Sequence, residues 1–161
     1  MQFEEAYDFS FGLAAANYKS RMGYIDTTGN FFLVAIWDQC REFKEGKAFT
    51  GAMNNQGKIF WAAIDTAGMK LTEYEYTNAL EYSEDLAGVE KNGKWGFIDT
   101  RGFPVIDFKY DFAGNFKDGM ALAGIRSEKK FGFIDTEGNF VITFPENTKE
   151  IIDFRFNSKS F

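Results

Sequence analysis

The sequence predicts an all-β protein made of tandem copies of one short hairpin unit. Three observations predict it. Two sequence anchors recur in step along 161 residues. The chain carries 20 Phe, 7 Tyr and 3 Trp beside only 2 Pro. Most of its 16 Gly fall at fixed places in the repeat. Aromatic residues favour a pleated, half-buried surface, and periodic glycines mark tight turns between strands. Two independent anchors repeating at one period are the signature of a repeat architecture.

The first anchor is an aromatic, often followed by an acid, then a small residue, a second aromatic, a Gly and an Ala. It reads Phe3-Glu4, Ala6, Phe9, Gly12, Ala14, and then Trp37-Asp38, Cys40, Phe43, Gly46, Ala48. The third copy is Tyr76, Ala79, Tyr82, Asp85, Ala87, with Asp in place of Gly. The fourth is Tyr110-Asp111, Ala113, Phe116, Gly119, Ala121. The leading aromatics stand 34, 39 and 34 residues apart. The second anchor is a run ending in Ile-Asp-Thr, with Gly two residues later. It gives Asp26 and Gly29, Asp65 and Gly68, Asp99 and Gly102, Asp135 and Gly138. Four repeats follow, over 3–36, 37–75, 76–109 and 110–143, with a degenerate C-terminal cap over 144–161.

Each repeat is expected to hold three strands. Strand A follows the first anchor, as in Met120 to Arg126. A short turn follows, and Asn92-Gly93 is its clearest case, a type I′ signal. Strand B ends in the Ile-Asp-Thr run. The Asp is expected to cap the next turn through backbone N–H groups, and the Gly to supply a positive φ. Strand C is a β-rich stretch such as Phe31 to Ile36 or Phe103 to Asp107. Strand B is apolar on both faces: Trp95 and Phe97 point one way, Gly96 and Ile98 the other. Such a strand sits between layers, and Gly96 lets a backbone or ring approach closely. The units therefore share a continuous core and form an open, curved or solenoid-like array. The alternative is a closed, small propeller-like toroid, for which units near 36 residues are short. The expected core includes Trp61, Trp95, Phe97, Phe131, Phe133, Tyr110 and Phe116.

The run Lys94-Trp95-Gly96-Phe97-Ile98-Asp99-Thr100-Arg101-Gly102, followed by Val105-Ile106 and Tyr110-Asp111, resembles the WG-repeat family of bacterial proteins. The resemblance spans about residues 3–144 and is sharpest in the third and fourth copies. Met22 and Phe131 replace the Trp elsewhere, and Ala62-Ala63 replaces the Gly-aromatic pair. The resemblance implies an interaction role in a bacterium and carries no catalytic residues with it. Location in the cytoplasm fits the chain as it stands, and export fits if it is a processed fragment.

Composition excludes several classes of chemistry. There is no His, so Ser-His-Asp and Cys-His catalysis and the usual zinc ligand are absent. Net charge is −6, without the basic bias that phosphate neutralisation needs, so no nucleic-acid partner is expected. The first 20 residues carry Glu4, Glu5 and Asp8 rather than a leader pattern, and no stretch nears 18 consecutive apolar residues. Membrane insertion is not expected. The recurring Asp residues offer one carboxylate per turn, too few ligands for calcium, so they read as turn caps and no cofactor is expected. Cys40 stands where other copies have Ala and reads as a small packed residue. No nucleophile–base pair, metal motif or phosphate loop appears, and the expectation is a non-enzymatic binding module. Aromatics outside the anchors, among them Phe31, Phe32, Phe103 and Phe140, fill the layers between units or form an exposed binding patch. A row of exposed Trp or Tyr would indicate a carbohydrate or cell-wall ligand. A Phe-rich patch would indicate another protein, and the Phe-dominated composition favours the protein.

Overall fold

In the computed structural model, described over residues 3–145, the chain is all-β and forms four antiparallel sheets in chain order. The first sheet contains β1 (Glu5–Ala6), β2 (Leu13–Tyr18), β3 (Arg21–Asp26) and β4 (Phe31–Trp37), paired in that order. The second contains β5 (Gln39–Cys40), β6 (Lys47–Met53) and β7 (Ile59–Asp65). The third contains β8 (Asn78–Ala79), β9 (Leu86–Lys91), β10 (Lys94–Asp99) and β11 (Pro104–Tyr110). The fourth contains β12 (Phe112–Ala113), β13 (Ala121–Ile125), β14 (Lys130–Ile134) and β15 (Phe140–Thr143). No sheet closes into a barrel. The cap expected over 144–161 lies outside the described residues except for Phe144 and Pro145.

The unit differs from the three-strand expectation in two ways. Part of the first anchor is itself a strand: β1, β5, β8 and β12 are two residues long and pair with strand A of their own sheet. The loop that follows doubles back tightly enough to allow this. It turns at Phe11-Gly12, Glu45-Gly46, Glu84-Asp85 and Asp118-Gly119, where both residues of each pair have positive φ, as in a type I′ hairpin turn. The second difference is that the second sheet lacks strand C. After Asp65 the chain makes only isolated bridges, Ile64 to Lys70 and Trp61 to Tyr76.

A glycine explains that missing strand. In the third sheet β11 bulges over Gly96, where two extra residues lie between the Trp95–Tyr110 and Phe97–Ile106 pairs. A Cβ added to Gly96 would lie 2.7 Å from the Ile106 carbonyl oxygen and 3.1 Å from the Phe108 ring. Gly23 meets strand C of the first sheet in the same way, 2.5 Å from the Leu33 oxygen. The second sheet has Ala62 at this place, fully buried, and strand C does not close over it. The Thr72 hydroxyl accepts the Ala63 N–H instead, at 2.9 Å.

The core lies at the junctions between sheets. One cluster joins Tyr24 and Met22 of the first sheet to Phe43, Ala48 and Ile64 of the second. The next joins Phe49 and Trp61 to Tyr82, Val89 and Ile98. The third joins Phe97 and Tyr110 to Phe116, Ala123 and Ile134. A strand B residue facing forward enters one cluster while its neighbour enters the cluster behind, as Phe97 and Ile98 do. No cluster among the described residues links the first sheet to the fourth, so the array is open.

Gly96→Ala is expected to destabilise the protein by about 1–3 kcal/mol, because backbone and ring must both move. Gly114→Ala is the control. Its Cβ would have no neighbour nearer than 3.7 Å, and it should be neutral or slightly stabilising. Urea unfolding of the two variants measures the difference.

Candidate interaction surface

The turn residues expected from the sequence share one geometry. Asp99 Oδ1 accepts the N–H groups of Arg101 and Phe103, both at 2.9 Å. Asp26 accepts from Thr28 and Asn30, Asp65 from Ala67 and Met69, and Asp135 from Glu137 and Asn139. The donors stand two and four residues on, where one or two residues on was expected. Gly29, Gly68, Gly102 and Gly138 have φ between 79° and 87°. At Gly102 a Cβ would also lie 2.5 Å from the Leu71 oxygen, so the turn packs on the preceding segment. The Thr28 hydroxyl, with the turn N–H groups, holds the Asp26 carboxyl below its ordinary value. Burial pushes Asp99 up, but the Phe103 N–H and Arg101 outweigh it and the carboxyl ends below. The Asn139 N–H does the same for Asp135.

Of the expected core residues, Trp61, Phe97, Tyr110, Phe116 and Phe131 are buried. Trp95 and Phe133 are only half-buried, which corrects the core expectation for both. Trp95 stands second in its strand and packs at the margin of the cluster that Phe97 and Phe116 fill. Phe133 holds the place of Phe97 in the fourth sheet. Its ring meets Phe144 edge-on at 5.7 Å, and among the described residues no further sheet adds a ring as Phe116 does to Phe97, 4.9 Å away.

The polar residues around the anchors are tied within the array. Lys94 Nζ pairs with Asp111 at 2.6 Å, and Arg21 pairs with Asp38 at the same distance in the first junction. The second oxygens of Asp38 and Asp111 accept backbone N–H groups of Met53 and Arg126. This explains the acid of the first anchor, which the sequence left without a role. Tyr7, Asp38, Cys40, Arg41 and Trp61 border an open cavity of about 420 Å³. Burial pushes the Cys40 thiol up to about 12, so it stays protonated near neutral pH. The Arg41 guanidinium lies 4.5 Å from the Trp61 ring centre and covers it. Nothing in this cavity pairs a nucleophile with a base.

The large apolar side chains exposed among the described residues are most frequent on the first sheet, three beside β1 and three on the opposite edge, β4. They are Tyr7, Phe9, Phe11, Phe32, Val34, Ile36, Met53, Met69, Phe103, Val105, Val141 and Ile142. The first six all belong to the first sheet and its anchor loop. None of the three Trp residues is among them, and Trp37 Nε1 is held by the Tyr74 hydroxyl at 2.8 Å. β4 is the edge strand of its sheet, and its seven residues, Phe31–Trp37, carry no charge. Phe32, Val34 and Ile36 alternate along it and are 56%, 63% and 60% exposed. The matching edge strand β11 exposes Pro104, Asp107 and Lys109, the residues that ordinarily protect a sheet edge. The sequence of β4 could not show this surface, because an uninterrupted apolar run hides which face points outward.

These features define a tandem β-hairpin repeat module whose sheets share their cores and whose first sheet exposes an apolar edge. The WG containing repeat matches residues 22–50, 61–95, 95–127 and 131–144, and the chain belongs to that family. No curated protein matches it.

The turn carboxylates give a pH signature. A carboxyl held below its unfolded value stabilises the fold above the ordinary carboxylate range, and that stabilisation is lost as pH falls through the folded value. Asp99→Asn should therefore melt lower than wild type at pH 7. The gap should narrow as pH drops toward about 3, below the ordinary Asp value. Thermal melts of both proteins across that range check it.

Proposed function

We propose that the array is a non-enzymatic protein-binding module that meets its partner through the exposed apolar edge of the first sheet. The carrying observation is that Phe32, Val34 and Ile36, three of the twelve exposed large apolar side chains among the described residues, line up along β4. Apolar surface gathered in one place favours burial against a partner, and an unprotected edge strand offers unpaired backbone groups to an added strand. Carbohydrate recognition has less support. It calls for Trp or Tyr faces presented to solvent, and the exposed aromatics are Tyr7, Phe9, Phe11, Phe32 and Phe103.

Val34→Lys with Ile36→Lys puts charge on the edge while leaving the junction clusters intact. Wild type immobilised as bait should capture protein from a native lysate, and the double variant should lose that capture with little change in melting temperature. Equal capture by the variant, or strong wild-type signals on a glycan array, would contradict the reading.

A further inference from the structure

We propose that the cavity between the first two sheets binds a small carboxylic acid that also carries a hydroxyl or amino group. No residue of β4 borders this cavity, so the site stands apart from the apolar edge.

The cavity coincides with a break in the repeat. Trp61, Trp95 and Phe131 hold the corresponding place in the later sheets, where the first sheet has the slimmer Met22. At the next junction Arg41 lies on the Trp61 ring. The counterpart of Arg41 in the first sheet is Tyr7, which is 49% exposed. About 420 Å³ is left open between Tyr7 and Met22 on one side and the β5 segment with Trp61 on the other. Pockets for small ligands begin at about 300 Å³.

Two buried side-chain polar atoms lack a hydrogen-bond partner among the described residues, Asn17 Oδ1 and Arg41 Nε. Both belong to this junction. Arg41 borders the cavity directly. Asn17 pairs across the sheet with Met22, so the two side chains leave the same face. Ala15, two residues before Asn17, lies in the cluster shared with the second sheet, so that face is the one turned toward the cavity. Buried polar groups are nearly always satisfied. An orphaned acceptor and an orphaned donor at one junction therefore fit a molecule that supplies both complements. Neither group is required by the fold. Gly51, Glu90 and Gly124 take the place of Asn17 in the later sheets. The counterparts of Arg41 are Tyr7, Leu80 and Gly114, none of them charged.

Charge decides the sign of the ligand. Arg41 makes no ion pair, and its one side-chain hydrogen bond runs to Asn78 Oδ1 at 3.5 Å. Burial pulls its pKa down, and Glu81, the carboxylate that offsets this, stands beyond ion-pair distance. Asp38 also borders the cavity, but its oxygens are already held by Arg21 and by the Met53 N–H. The uncompensated charge is the guanidinium, whose planar fork suits a carboxylate. With the ligand seated, the Nε–H edge turns toward the cavity and meets the carboxylate, and the hydroxyl or amino group donates to Asn17 Oδ1.

Thermal shift of the full chain with lactate, malate, tartrate and the common free amino acids tests this. Succinate, which has no donor, and sulfate serve as comparisons. A ligand that binds only the folded state raises the melting temperature as its concentration grows. At least one hydroxy or amino acid should do so at millimolar concentration, more strongly than succinate or sulfate. By titration calorimetry, Arg41→Gln should bind that acid about tenfold more weakly or worse, since a charge-assisted bond is lost. Asn17→Ala should bring its affinity down to that of succinate. Met22→Trp restores the residue that the second and third sheets carry, so the fold is kept while the cavity is filled, and binding should vanish. Three results would overturn the proposal. One is a panel in which no acid raises the melting temperature. Another is sulfate acting as strongly as the best acid, which marks an adventitious ion only. The third is binding that survives intact in Met22→Trp or in Arg41→Gln.

Discussion

A sheet of short strands with large apolar groups on both faces of its central strand cannot bury them by itself. The strand ending in Ile-Asp-Thr imposes this problem in every unit. Phe97 faces forward onto Phe116 and Ile98 faces back among Tyr82 and Val89. Burial of those side chains supplies the main driving force, and it exists only where two sheets meet. The stacking order and the placement of the anchor aromatics serve these junctions.

The glycine beside the signature Trp belongs to the same constraint. Strand C crosses strand B closely at this glycine. At Gly96 that crossing brings the Ile106 oxygen within 2.7 Å of where a Cβ would stand. With Ala62 in its place, the second sheet gives up strand C and recruits the Thr72 hydroxyl to satisfy the Ala63 amide. The 39-residue spacing of that unit comes from its longer β6–β7 hairpin, since Asp65 to Tyr76 spans 11 residues just as Asp99 to Tyr110 does. Tyr74 of that segment bonds Trp37 of the first sheet and Thr50 of the second, which holds the segment against both.

Much of this was legible beforehand because the repeat aligns like with like. The Asp-x-x-Gly turns, the Asn92-Gly93 hairpin and the two-faced burial of strand B follow from residue type and spacing. The two-residue strands were not legible, because their pairing depends on turns such as Glu84-Asp85, where non-glycine residues take positive φ. Half-burial of Phe133 depends on what lies beyond it in space, which spacing along the chain does not report. The exposed edge of β4 was hidden for a different reason. Phe31–Trp37 is apolar at every position, so no alternation marks its outer face.

The shared junction is what makes the four sheets one protein, and amide hydrogen exchange of Phe49→Ala tests it most directly. Phe49 belongs to the second sheet and stacks on Tyr82 of the third at 5.6 Å. If the junction is the unit of stability, its truncation should speed exchange of the Ala87 and Val89 amides in β9 by about tenfold or more, together with those of β6 and β7. Acceleration confined to β6 and β7, with β9 as protected as in wild type, would contradict a core held in common.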